Sequence, residues 1–136
     1  MTNSCLGDSM SMKPIAQKLL IKENQVFLLL NAPDGYRSKL GSLPRNVSLS
    51  TTWVERPDVI QVFVSSESEA RNEVSAIKPL LGSRTVFWVT YPKGTSGVRT
   101  DVGRDTLRAY AASIGLKAVA MVAIDDVWAA LRLRIA

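Results

Sequence analysis

Residues 59–90 decide the fold, and they read VIQVFVSSESEARNEVSAIKPLLGSRTVFWVT. Two near-continuous apolar runs, residues 59–64 and 85–90, flank a segment whose apolar side chains recur at helical spacing. Such runs are typical of strands covered on both faces, and such a recurrence is typical of a helix with one buried face. Ser66 with Glu69 three residues later forms a capping box, which marks the start of the helix. The stretch therefore predicts a strand, a helix and a second strand parallel to the first.

The alternation extends towards the N-terminus. Val26–Leu30 is another continuous apolar run, and the segment Asn-Ala-Pro-Asp-Gly at residues 31–35 ends it, because proline and glycine both interrupt strands. A short helix is expected from Pro14 to near Lys22, since proline suits the first turn of a helix. Residues 47–49 form a short apolar element, which adds a weak strand.

Towards the C-terminus, Thr100 and Asp101 suit the start of a helix that Gly115 ends. Residues 118–124 and 127–135 then form two strands joined by a pair of aspartates. So short a link makes the two strands antiparallel, because a parallel pair would need a crossover of a dozen or more residues. The sequence thus predicts an α/β fold, a Rossmann-like three-layer sandwich whose mostly parallel sheet of about six strands ends in an antiparallel hairpin.

Length and composition bound the class of protein. The 136 residues suit one domain, with 46% hydrophobic and 21% charged residues. Residues 1–12 lack periodicity and are expected to be a disordered leader, and residues 13–136 form a single α/β domain. The chain has one cysteine, Cys5, and no histidine, which excludes an internal disulfide, Ser-His-Asp chemistry and most zinc sites. No apolar run approaches a membrane span and no signal peptide is evident, so a cytoplasmic protein without membrane partners is expected.

The net charge of +5 is distributed over both ends of the chain. Residues 1–50 contribute +3, residues 51–83 contribute −2 and residues 84–136 contribute +4. No single run concentrates the charge, and no series of exposed aromatics alternates with basic residues. A mildly basic surface is the simpler interpretation, and nucleic-acid binding is the less favoured one.

Ligands of open α/β sheets bind beyond the carboxyl ends of the parallel strands, which here are followed by residues 31–36, 65–68 and 91–101. The third loop combines glycines with cations ahead of a predicted helix, a pattern suited to an anion. It matches neither the P-loop nor the dinucleotide-binding glycine motif, and an ordinary surface turn is the alternative. We predict that the first and third loops form one site for a small anionic ligand. Its residues are Asn31, Asp34, Tyr91, Lys93, Gly94, Gly97 and Arg99.

No nucleophile–base pair, metal cluster or cofactor motif is visible, so no catalytic or metal-binding residue is predicted. The leading interpretation is a non-catalytic domain that binds a ligand or a partner and needs no cofactor. The last hairpin leaves a sheet edge, which favours a homodimer over a monomer.

Several motifs resemble those of a known family. They are LLNAPDGY at residues 29–36, LGSLP at 40–44, WVTYPK at 88–93, SGVRTD at 96–101 and DDVWAALR at 125–132. The family is a group of short bacterial proteins known as a domain of unknown function, number three thousand and fifty-two, and the resemblance covers residues 13–134. Leu20 and Asn31 stand where the family tends to have glycine, and Tyr91 where tryptophan is frequent. The resemblance implies no established activity.

The closing hairpin also resembles that of class I methyltransferases, which use S-adenosylmethionine. This likeness implies the sheet order 2-1-3-4-6-5 with the last strand reversed. It also implies an alternative function, a minimal or degenerate methyltransferase-like enzyme, although residues 31–35 replace the glycine-rich loop of those enzymes. A further alternative is nucleic-acid binding through the basic surface. Similar folds carry different chemistries, so the alternatives remain open at this point.

Overall fold

A computed structural model describes residues 14–93 and 100–136. The described residues form helices α1 to α4 and strands β1 to β6, in the order α1 (Ile15–Lys18), β1 (Val26–Leu30), α2 (Tyr36–Leu40), β2 (Ser48–Ser50), β3 (Val59–Phe63), α3 (Glu67–Ile77), β4 (Val86–Pro92), α4 (Arg104–Ser113), β5 (Leu116–Ala123) and β6 (Trp128–Ile135). A short 3₁₀ turn, Lys78–Leu80, continues α3, because Pro79 interrupts its last turn. In this part of the chain, no helix is both long and apolar enough to cross a bilayer.

The six strands form one sheet in the order β2-β1-β3-β4-β6-β5. Strands β2, β1, β3 and β4 are parallel, whereas β6 runs antiparallel to both β4 and β5. This arrangement confirms the predicted Rossmann-like fold and the order 2-1-3-4-6-5.

Alternate side chains of each strand enter two separate cores. Leu28, Ile60 and Phe87 lie on the face covered by α3 and α4, which we call the α3 face. Their strand neighbours Phe27 and Trp88 lie on the opposite face, under α1 and α2, which we call the α1 face. Among the described residues, the helices over the α1 face have four and five residues, whereas those over the α3 face have eleven and ten.

The start of α3 follows the capping box. The Ser66 hydroxyl accepts a hydrogen bond from the Glu69 backbone N–H at 3.1 Å. The helix predicted to begin at Thr100 and Asp101 instead begins at Arg104, so that expectation was wrong. Asp101 accepts a hydrogen bond from the Glu67 N–H at 2.7 Å and thereby caps α3, a helix distant in sequence.

Four further elements also differ from the prediction. Helix α1 ends at Lys18 because Leu20 adopts a left-handed conformation with φ 66°. The second strand is Ser48–Ser50, one residue later than predicted, and the fifth strand begins two residues earlier, at Leu116. Helix α2 was not predicted, since its five residues carry too short a pattern to reveal a helix.

Asp125 organises the turn between β5 and β6. Its carboxylate accepts hydrogen bonds from the Val127 and Trp128 backbone N–H groups, both at 2.8 Å, and its second oxygen pairs with Lys39 Nζ of α2 at 3.0 Å. Partial burial alone would raise the pKa of Asp125. These donors outweigh that effect and hold the pKa below its ordinary value. The aspartate pair predicted as a hairpin tip therefore also joins α2 to the hairpin.

This interaction predicts a pH dependence of stability. Because the pKa of Asp125 is lower in the folded state, its contribution is present above the unfolded-state pKa of about 3.9 and is lost as pH falls through the folded-state value. Urea unfolding from pH 7 to pH 2 should show a smaller acid loss of stability for Asp125→Asn than for the wild type. Asp126→Asn, in the same turn, should keep the wild-type profile. An Asp125→Asn profile identical to the wild type would contradict this role.

Candidate functional site

The strand order reverses direction beside β1. The chain leaves β1 towards β2 on one side, whereas β3 lies on the other side. At such a switch point the loops diverge and leave a crevice. A cleft of about 390 Å³ lies on the β2 side of this point, at the carboxyl ends of β1 and β2. Its lining residues are Leu29, Asn31, Ala32, Pro33, Asp34, Gly35, Arg37, Ser38 and Thr51.

Two left-handed residues shape the loop over this cleft. Asn31 has φ 60° and Gly35 has φ 84°. Asparagine tolerates this region better than other residues with a side chain, and glycine adopts it without steric cost. The loop therefore leaves β1 sharply at Asn31 and turns again at Gly35 into α2, whose first residue donates its backbone N–H to the Pro33 carbonyl.

A buried hydrogen-bond chain holds α2 against the sheet. The Tyr36 hydroxyl donates to Gln61 Oε1 at 3.0 Å, and Gln61 Nε2 donates to Thr90 Oγ1 at 2.9 Å. The Tyr36 ring also meets the Phe63 ring edge to face, with centroids 4.6 Å apart. Burial raises the pKa of Tyr36 far above its ordinary value, so the hydroxyl remains a donor. This anchor fixes the next two residues of α2, which face the cleft.

Two side chains of opposite charge precede and follow the buried Tyr36. Asp34 and Arg37 both line the cleft and are exposed. Within residues 14–93 and 100–136, neither side chain forms an ion pair. Leu29, Ala32 and Pro33 supply an apolar part of the wall, and Ser38 and Thr51 supply hydroxyls. The cleft can therefore receive a ligand that carries both a cationic and an anionic group beside an apolar portion.

A glycine pair tests whether backbone conformation shapes this loop. Gly35 and Gly103 precede α2 and α4, and a Cβ added at either would meet no atom within 4 Å. Gly35 is left-handed, whereas Gly103 has an extended φ of −154°. Gly35→Ala should therefore destabilise the fold by about 1 kcal/mol, and Gly103→Ala should leave it unchanged or slightly more stable. Urea unfolding of both variants measures the difference, and equal effects would contradict the conformational explanation.

The structure brings together only part of the predicted site. Asn31 and Asp34 line the cleft, whereas Tyr91 lies in β4 and Lys93 directly follows it, two positions from β1 in the sheet. Tyr91 is buried on the α3 face, with its hydroxyl 3.3 Å from Met121 Sδ, and burial raises the pKa of Tyr91. The Lys93 backbone N–H donates to the Val127 carbonyl at 2.7 Å.

Gly94, Gly97 and Arg99 lie outside the described residues, so the anion site of the third loop stays a prediction. The described end of the third loop, residues 100–101, contacts the second loop, residues 65–68, instead of the first loop. Thr100 Oγ1 donates to the Ser65 carbonyl at 2.7 Å, beside the cap that Asp101 provides. The backbone N–H groups at the start of α3 therefore already have acceptors from this chain.

Three polar residues of the cleft, Arg37, Ser38 and Thr51, were not predicted from the sequence. Arg37 and Ser38 escaped notice because they lie on the unpredicted helix α2, and Thr51 because it follows a strand of only three residues. Their distance along the chain from the ends of adjacent strands could have indicated that they lie in the cleft. This distance can be interpreted only when the order of the strands in the sheet is known.

The fold of this chain resembles that of several solved methyltransferases. An S-adenosylmethionine-dependent methyltransferase from Aquifex aeolicus matches with TM-score 0.57 and 10% identity, over 90% of this chain and 88% of that one. CcbJ methyltransferase from Streptomyces caelestis matches with TM-score 0.54 and 10% identity, over 91% and 90%. The Bacillus subtilis M1A22 tRNA methyltransferase TrmK matches with TM-score 0.53 and 10% identity, over 94% and 68%. The fold is methyltransferase-like.

No family model and no curated protein sequence matches this chain. The resemblance to the domain of unknown function therefore rests on the motifs alone. Structural identities near 10% support a shared architecture but not a shared chemistry.

Proposed function

We propose that this protein binds S-adenosylmethionine in the cleft beyond β1 and acts as a minimal methyltransferase. The observation that carries the proposal is the position of the cleft, at the carboxyl end of β1, the strand beside which the order 2-1-3-4-6-5 reverses. The methyltransferase-like fold favours this function over the non-catalytic binding domain that the sequence suggested first.

The residues of the cleft suit the parts of this ligand. An aminocarboxypropyl group carries an ammonium and a carboxylate, for which Asp34 and Arg37 are complementary partners. Adenine needs apolar contacts, which Leu29, Ala32 and Pro33 provide, and ribose hydroxyls need the hydrogen-bonding groups of Asn31 and Thr51. A volume of about 390 Å³ lies within the range of small-molecule sites.

The bound ligand would supply an electrophilic methyl group on its sulfonium. The protein's task is then to bind and orient, because a neutral acceptor with a free lone pair attacks this carbon without prior deprotonation. The absence of histidine is compatible with that chemistry. The rigid anchor at Tyr36 and Gln61 holds the ligand-facing residues of α2, and the open side of the cleft receives the acceptor.

Calorimetric titration with S-adenosylhomocysteine and S-adenosylmethionine tests the proposal. Saturable one-to-one binding of both compounds is the expected result, and inorganic phosphate and a nicotinamide dinucleotide should not compete. At 100 times the dissociation constant, the ligand should stabilise the fold by about 2.7 kcal/mol, visible as a higher Tm. Absence of binding at millimolar concentrations would overturn the proposal. Binding of phosphates alone would instead favour the anion-binding domain.

A further inference from the structure

Three cations lie together on the α1 face of the terminal hairpin. Lys117 of β5 is directly opposite Arg134 of β6, and Arg132, two residues away, is opposite Ala120. Arg132 is also the neighbour of Trp88 across β4 and β6, which places the group on the α1 face. Residues two apart on a strand are separated by about 6.7 Å and directly opposite residues by about 5 Å, so the three charges form a compact group on the hairpin. We call Lys117, Arg132 and Arg134 the hairpin cations.

The hairpin cations have no counter-charge in the described part of the chain. None of the three forms an ion pair with a described carboxylate. Arg132 Nε is buried and has no hydrogen-bond partner there. Like charges directly opposite each other on a sheet destabilise it, and a buried charged donor without a partner costs still more. A bound anion would relieve the repulsion between Lys117 and Arg134, whose side chains are exposed.

The surroundings of the hairpin cations narrow the choice of partner. The exposed apolar residues Met121 and Ile135 are in register with Leu131 and Leu116, on the α3 face. Met121 and Ile135 are therefore on the other face from the hairpin cations, whereas membrane binding would combine cations and apolar side chains on one surface.

Strand addition is disfavoured for a different reason. The register of β5 shifts between Ala118 and Ala120, and such a bulge hinders the addition of another strand at this edge. A second copy would also bring its own Lys117 and Arg134 to the same edge, where like charges repel.

We propose that Lys117, Arg132 and Arg134 bind the phosphate backbone of a nucleic acid. A compact group of cations fits a polymer whose negative charges are closely spaced. The fully buried Trp88 cannot stack on a base, and Ala120 offers no hydrogen bond to one. The contact that we propose is to phosphates, so affinity should be independent of base sequence. This surface is separate from the cleft beyond β1, so the proposal holds whether or not the cleft binds S-adenosylmethionine.

Fluorescence anisotropy with labelled RNA and DNA duplexes, measured in a salt series, tests this interaction. Three phosphate contacts predict a slope of about −2.7 for the logarithm of the binding constant against that of the salt concentration. Lys117→Gln and Arg134→Gln should each make the slope shallower by about 0.9, and the triple glutamine variant should lose binding. Arg108→Gln is the matched control, since Arg108 is exposed on α4, over the opposite face.

A second variant separates binding from folding. Arg132→Met removes the buried, unpartnered Nε–H and keeps an unbranched side chain, so the variant should have a higher Tm than the wild type and bind nucleic acid more weakly. No salt-dependent binding by the wild-type protein would overturn the proposal. Equal weakening by Arg108→Gln and Lys117→Gln would also overturn it, as would capture of inorganic polyphosphate without any RNA or DNA.

Discussion

Replacing Gln61 by Ala is expected to reduce the free energy of unfolding by about 3 kcal/mol, because the side chain lies in the middle of a buried hydrogen-bond chain. Its carbonyl accepts from the Tyr36 hydroxyl and its amide donates to Thr90, and Gln61 itself has no exposed surface. The truncation leaves the Tyr36 hydroxyl without an acceptor and opens a cavity between β3 and α2. Urea unfolding monitored by circular dichroism measures the loss.

Gln17→Ala is the matched control for this prediction. Gln17 is an exposed glutamine on α1, and its truncation should change stability by less than about 0.5 kcal/mol. Tyr36→Phe removes the same hydrogen bond from the other side, so combining it with Gln61→Ala should cost less than the sum of the single changes. If Gln61→Ala reduced the free energy of unfolding by no more than Gln17→Ala, the hydrogen-bond chain would not be what holds α2 against the sheet.

In the cleft, Asp34→Asn and Arg37→Gln should each weaken the binding of S-adenosylhomocysteine by tenfold to hundredfold. Each change removes one charge-assisted hydrogen bond to the ligand, and such bonds contribute about 1.5–3 kcal/mol. Both side chains are exposed and form no ion pair with another described residue, so the fold itself should be little affected. Calorimetric titration of the two variants measures the dissociation constants.

Arg45→Gln provides the control for the cleft variants. Arg45 is exposed and pairs with Glu23 at 4.0 Å, away from the lining of the cleft. This variant removes the same charge as Arg37→Gln and should bind the ligand as the wild type does. Wild-type affinity in both cleft variants would exclude Asp34 and Arg37 from the ligand site.

Much of the fold could be predicted from the sequence because its strands are continuous apolar runs. Residues 59–64 and 85–90 show the two buried strands directly, and the Ser66 capping box marks the start of α3. The cap formed by Asp101 could not be predicted, because the helix it caps is distant in sequence. The five-residue helix α2 could not be predicted either, since it depends on the long-range hydrogen bond from Tyr36.

The candidate site was less accessible to sequence reasoning than the fold. Asn31 and Asp34 follow an evident strand, so their position at its carboxyl end could be inferred. Thr51 and Arg37 join them only through the packing of a three-residue strand and a short helix. The left-handed conformations of Leu20 and Asn31 give a physical reason for glycine at the equivalent positions of the family that the chain resembles.

The location of the ligand site is tested most directly by nuclear magnetic resonance. Backbone amide shifts of ¹⁵N-labelled protein would be followed while S-adenosylhomocysteine is added. We expect the largest shift changes in the loop after β1, at Asn31, Asp34 and Gly35, in the first turn of α2, and at Thr51. We also expect that the amides of Lys117 and Arg134 do not move. Changes confined to other loops, or no changes at saturating ligand, would contradict the assignment of this cleft.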